Sequence, residues 1–153
     1  MNNKALTFVA TISILLIVFG YWYQSFLQDR IQRVINVTDC QINKTSCRVK
    51  IDDVAFLTLS ILPIGIPQTQ ALDIDVELEG FDANRISVNF EGIEIDHNLL
   101  PYSLDKQDPY HFSGKGFLSI CSLRKMHWLA NIIINSDDAV LLKVSFPFET
   151  IQN

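Results

Sequence analysis

The chain has 153 residues, of which 48% are apolar and 19% charged, with a formal net charge of −5. Soluble domains carry about 25% charged residues, so this balance excludes an ordinary cytosolic enzyme, and the length excludes a chain of several domains. Setting Lys4 aside takes the charge from −5 to −6 for the rest, an acidic surface that repels nucleic acid and excludes it as a partner.

The apolar excess is uneven. From Ala5 to Gln28, twenty-four residues carry no formal charge, while all seventeen Asp and Glu lie from Asp29 onward. A helix of about 20 apolar residues crosses the hydrocarbon core, so residues 1–28 predict one uncleaved transmembrane signal-anchor. Tyr21, Trp22 and Tyr23 close the run as interfacial rings, where a cleavable leader would need small residues. Lys4 and the terminal amine nearly balance Arg30 and Arg33 across the run, so charge alone leaves the orientation open. The short leader and the cysteine pattern favour export. The expectation is a bacterial inner-membrane, single-pass protein with its C-terminal domain in the periplasm and the membrane as a partner.

Residues 29–46 read as a tether, and residues 47–153 as the domain. Cys40 and Cys47 lie in a polar stretch and are close enough along the chain to form an oxidised pair. Cys121 is the alternative partner for either, since spacing does not fix connectivity. After Cys47 the apolar period is two. Leu72 to Glu79 alternates an apolar and an acidic residue at every step, a strand with one wet face. Arg85–Glu91, Met126–Ile134 and Val140–Phe148 repeat the pattern.

Turn residues at Asp52-Asp53, Pro63–Pro67, Gly80–Asn84 and Asn135–Asp138 divide the strands. The expected strands are 48–52, 54–61, 71–79, 85–91, 110–120, 126–135 and 139–148. Seven short antiparallel strands predict an all-β, immunoglobulin-like β-sandwich behind the transmembrane helix, with Trp128, Phe112 and Phe146 in its core. Gly114 and Gly116 fall inside a strand, where glycine marks a bulge or a close backbone approach. Residues 92–109 read as one irregular loop, longer than the 12–15 residues of ordinary connections and therefore the first place to seek function.

The chain has no Gly-x-Ser-x-Gly elbow, Gly-rich phosphate loop or metalloprotease helix, so the expectation is that it is not an enzyme and has no catalytic residues. Asp73, Asp75, Glu77 and Glu79 project from one side of one strand, spaced about 6.5–7 Å apart, too extended for one ion cage and suited to a solvated face. The soft or borderline metal ligands are His97, Met126 and His127, with the cysteines and His111. They lack ligand-pair spacing, so no resident cofactor is expected, and copper is the one metal they raise. The bland readings are a core position for Met126 and a solvated face for His127.

The segments Gly92–Asp96, Tyr110–Cys121, Met126–Ile134 and Val144–Thr150, with Ala71–Gly92 before them, resemble the periplasmic domain of the FixH and YtkA-like families. The resemblance covers residues 56–150. It implies a small β-sandwich and an accessory role, through protein–protein contacts, in assembling respiratory haem-copper oxidases, with oxidase subunits or assembly factors as partners. Ile93 and Ile95 stand where relatives carry methionine, a departure that weakens a thioether copper site. The alternative expectation is a copper or small-ligand carrier using the 92–109 loop.

Overall fold

The computed structural model describes residues 12–20, 22, 31–94, 97–98, 100–119, 123–136 and 141–151. It divides the chain into two compact units, Met1–Arg30 and Ile31–Asn153.

In the first unit residues 12–20 and Trp22 are helical. Nine residues rise about 14 Å, against about 30 Å of hydrocarbon. No helix among the described residues is long and apolar enough to cross a membrane. This finding corrects the expectation of a single-pass inner-membrane anchor with a periplasmic domain. The remainder of the expected span, residues 1–11, 21 and 23–28, lies outside the described residues.

The second unit is all β. Its strands are β1 Ile31–Asn36, β2 Cys47–Lys50, β3 Phe56–Leu62, β4 Ala71–Glu79, β5 Arg85–Gly92, β6 His97–Asn98, β7 Tyr102–Asp108, β8 His111–Phe117, β9 Lys125–Asn135 and β10 Leu141–Ile151. Period-two patterning makes them. In β4, Leu72, Ile74, Val76 and Leu78 are buried while the acidic residues between them face out. The seven expected strands correspond to β2, β3, β4, β5, β8, β9 and β10.

Two segments differ from expectation. β1 lies in the stretch read as a tether, and β6 and β7 lie in the stretch read as an irregular loop. The physical reason is weak burial. In β7 only Leu104 is buried, so the strand carries almost no alternating signal. β1 is paired on one side only, at an end of the strand order.

The strands form one curled sheet in the order β1-β10-β9-β5-β7-β8-β4-β3-β2, with β6 beside β5. Every pairing is antiparallel except β1 with β10. β7 makes the corner. Tyr102–Leu104 pair with β5, and Asp105–Asp108 pair with β8. The buried side chains from both halves of the sheet form one cluster, with Trp128, Phe90, Phe112 and Phe146 fully enclosed. Phe148 stacks on Trp128 with ring centroids 6.5 Å apart and meets Phe90 edge-on at 6.2 Å.

β1 and β2 follow one another in the chain but stand at opposite ends of the strand order. Residues 37–46 therefore cross from one end of the sheet to the other. Val37 and Ile42 are buried in the core cluster. Val37 N donates to Ser145 O (2.9 Å), Asn43 Nδ2 donates to Glu149 O (3.2 Å), and Gly65 N donates to Asn43 O (2.8 Å). The connector thus bonds to β10 on one side and to the β3–β4 turn on the other. Cys40 and Cys47 form a disulfide within it, their Cα atoms 5.8 Å apart. A ring this short contributes about 2–3 kcal/mol in the chain-entropy description.

Gly116 on β8 sits where three strands crowd together. A Cβ there would lie 2.9 Å from Ile74 Cδ1, 3.3 Å from Tyr102 Cδ2 and 3.4 Å from Phe90 Cε2. Those neighbours come from β4, β7 and β5, so the glycine occupies the crowded inside of the corner. Gly116→Ala is expected to cost about 1–3 kcal/mol through overpacking, measured by urea denaturation of the full chain. A variant as stable as the parent would rule out the close approach.

Candidate functional site

β9 and β10 are a hairpin in strict antiparallel register, which places Glu149 opposite His127 and Thr150 opposite Met126. Alternation then separates neighbours. Met126 and Trp128 point into the core and are fully buried, while His127 points outward with its side chain half-exposed. Trp128 Nε1 donates to Thr150 Oγ1 (3.1 Å), so the enclosed indole has its polar partner.

Beyond β5, Ile93 N donates to His127 O (3.0 Å), which brings Glu94 over β9. Glu94 Oε2 accepts the backbone N–H of His127 at 2.9 Å, and Glu94 Oε1 pairs with Nδ1 of the same residue. One carboxylate therefore clamps both the ring and the main chain of His127. The ring's other nitrogen, Nε2, lies 3.8 Å from Glu149 Oε2, which also pairs with Lys125 Nζ at 2.7 Å. Hydrogen bonds from the His127 ring, then from its backbone, hold the Glu94 carboxyl below its ordinary value. The Lys125 hydrogen bond, reinforced by the Lys125 charge, does the same for Glu149.

His127 and Glu149 border a cleft of about 400 Å³. Gln41, Asn43 and Lys44 of the connector make one wall, and Ile93, His127, Trp128 and the Pro147–Glu149 stretch make the rest. Its apolar lining is Ile93, Trp128, Pro147 and Phe148, and its rim is charged. A cleft of this make-up receives an apolar group and fixes it by a few polar contacts.

The three metal candidates do not converge. Met126 and His127 project from opposite faces of one strand, so they cannot share an ion. The backbone of His97 pairs with Gly92 in β6, and its side chain lies outside the described residues. Among the described residues no group of three or more His, Cys, Asp or Glu side chains is arranged to hold a metal ion. Cys40 and Cys47 are bonded to each other, so neither is tied to Cys121, which also lies outside the described residues.

The acidic row of β4 is a solvated face with cross-strand partners. Asp73 pairs with Lys115 (2.5 Å), Asp75 with His111 (2.6 Å) and Glu79 with Arg48 (2.6 Å). The Asp75 hydrogen bond lifts the His111 imidazole above its ordinary value.

Sequence reasoning missed Glu149 and Lys125 and left the geometry of Glu94 unfixed. A hairpin pairing Asn135 with Leu141 necessarily sets Glu149 against His127, so the register was available once the turn was located. Glu94 carried no such signal, because a turn rather than a strand delivers it. The 92–109 stretch does supply Ile93 to the cleft and Glu94 to the clamp on His127, from its first residues.

Compared with known protein families, with curated proteins and with solved structures, the chain matches none.

The two histidine–carboxylate pairs are expected to respond to pH in opposite directions. Glu94 has a folded pKa below its ordinary 4.5, so its contribution is present above that pH and is lost as pH falls through the folded value. His111 has a folded pKa above its ordinary 6.5, so its contribution is present below that pH and is lost as pH rises through the folded value. Thermal midpoints of Glu94→Gln and His111→Gln against the parent, across pH, check both. The Glu94 difference should close toward acid and the His111 difference toward base. A difference flat in pH counts against the pair concerned.

Proposed function

We propose that the β domain is a non-catalytic accessory module that holds a segment of a partner protein in the connector cleft. The observation that carries this reading is the cleft itself, in which Ile93, Pro147 and Phe148 surround the buried Trp128, while His127, Glu149 and Lys44 supply polar groups. An apolar side chain of the partner would lie against the apolar residues. Its flanking polar groups would meet Glu149 and Lys44, with Glu94 keeping His127 in place. The resemblance to FixH and YtkA-like domains supplies the partner class within this proposal, a subunit or assembly factor of a respiratory haem-copper oxidase.

The strand pairing supports a finer architecture as well. A parallel edge strand β1 on β10, the β10-β9-β5 set facing β8-β4-β3, and a β7 that changes sides together favour an immunoglobulin-like β-sandwich. Such a framework presents binding groups from loops and strand ends on a rigid scaffold.

The test is surface plasmon resonance of the full chain against a purified, detergent-solubilised haem-copper oxidase. Ile93→Glu changes an exposed residue at the cleft mouth. It is expected to weaken binding at least tenfold, since a charge on an apolar contact costs more than 1.4 kcal/mol, while leaving the thermal midpoint in place. Absence of binding by the parent, or equal binding by Ile93→Glu, overturns the reading. Calorimetric titration with Cu(I) separates the carrier alternative. Tight stoichiometric binding abolished by His127→Ala would replace the accessory reading with the carrier.

A further inference from the structure

We propose that the Cys40–Cys47 disulfide is a redox gate on the cleft, an inference that rests on the binding reading above and assigns its regulation. One whole wall of the cleft, Gln41, Asn43 and Lys44, lies inside the ring that this disulfide closes. Within the ring the turn is held by Lys44 N and Thr45 N, both donating to Gln41 O at 2.9 and 3.2 Å. Outside it, among the described residues, the wall is fastened to the domain by two hydrogen bonds, both through Asn43, and by the buried side chain of Ile42. Lys44, Thr45 and Ser46 are exposed. The wall is therefore a thin segment whose shape depends on the covalent bond between its two ends.

The two sulfurs are not equivalent. Cys47 begins β2 and is fully buried, whereas Cys40 is only partly buried. Access directs an incoming thiolate to Cys40. The reductant is a dithiol. Its first thiolate attacks Cys40 Sγ, the protein S–S bond breaks, and the electron pair leaves on Cys47 Sγ, which takes up a proton. The second thiolate of the reductant then attacks the mixed disulfide and releases Cys40 as a thiolate that is protonated in turn. The dithiol ends as a disulfide and the protein as two thiols. With the ring open, residues 41–46 are free to leave the seam, and the cleft loses the wall that carries Lys44.

The position of Lys44 gives a direct readout, because trypsin cuts after lysine and needs a locally opened chain. The full chain is digested with and without dithiothreitol, and the fragments are reduced and weighed after quenching. Cleavage after Lys44 is expected to rise at least tenfold on reduction, while cleavage after Lys115, inside β8, stays unchanged. Cys40→Ser without reductant should behave like the reduced parent. Equal acceleration at Lys44 and Lys115 would mean general unfolding and would overturn the gate, as would no acceleration at Lys44. Oxidase binding by the oxidised and reduced chains completes the test, with an expected loss of at least tenfold on reduction. Equal affinity of the two forms overturns the gate alone, whereas no binding by the oxidised form overturns the binding reading.

Discussion

The constraint on which the rest depends is closure of the seam in the curled sheet. An open sheet that bends back on itself leaves two edges near one another and a core exposed between them. Here the chain solves this with ten residues rather than with strand pairing. Ile42 fills the gap as a buried plug. Asn43 then reaches both sides, donating to β10 and accepting from the β3–β4 turn. A backbone group buried without a partner costs about as much as a lost hydrogen bond, so the seam is closed by a buried side chain together with bonds to both of its sides. The cleft is the part of this seam that the connector does not fill.

At the opposite side of the curl the continuity is covalent and geometric. β7 gives its first residues to β5 and its last to β8, so a single strand passes from one half of the sheet to the other. Such a corner compresses whatever faces inward. Gly116 is where that compression falls, between side chains of three different strands. The outer face of β4 carries ion pairs to its neighbour β8 and, across β3, to β2. Exposed pairs of this kind contribute about 0–1 kcal/mol each, so they set register and solubility more than stability.

What could be read in the sequence followed burial. The strands whose alternate residues enter the core, such as β4, β5 and β9, announce themselves by period two, and the aromatic core of Trp128, Phe112 and Phe146 follows from the same alternation. The strands at the margins do not. β1 and β7 bury too little to leave a pattern, so one passed for a tether and the other for a loop. The apolar run before Asp29 reads as a spanning helix, whereas its described helical part is nine residues long. For the site, composition exposed His127, but only the hairpin register and the turn after β5 reveal what surrounds it. Chemical type alone offers Met126 and His127 alike as ligands, and the two-fold alternation of a strand, which buries Met126 and exposes His127, separates them.

The one parallel pairing among the described residues, β1 on β10, joins strands far apart in the chain. β1 begins at residue 31 and its partner at residue 141, so the first strand of the domain has no place to dock until nearly the whole chain exists. Contacts this distant in sequence are slow to form, because the loop entropy must be met before the pairing returns anything. As the ribosome delivers the chain, Ile31–Asn36 waits as an unpaired, β-prone segment, and so does the connector behind it, whose Val37 and Asn43 also bond to β10. The domain is thus finished from its C-terminal end, by a strand that was made first and joins last.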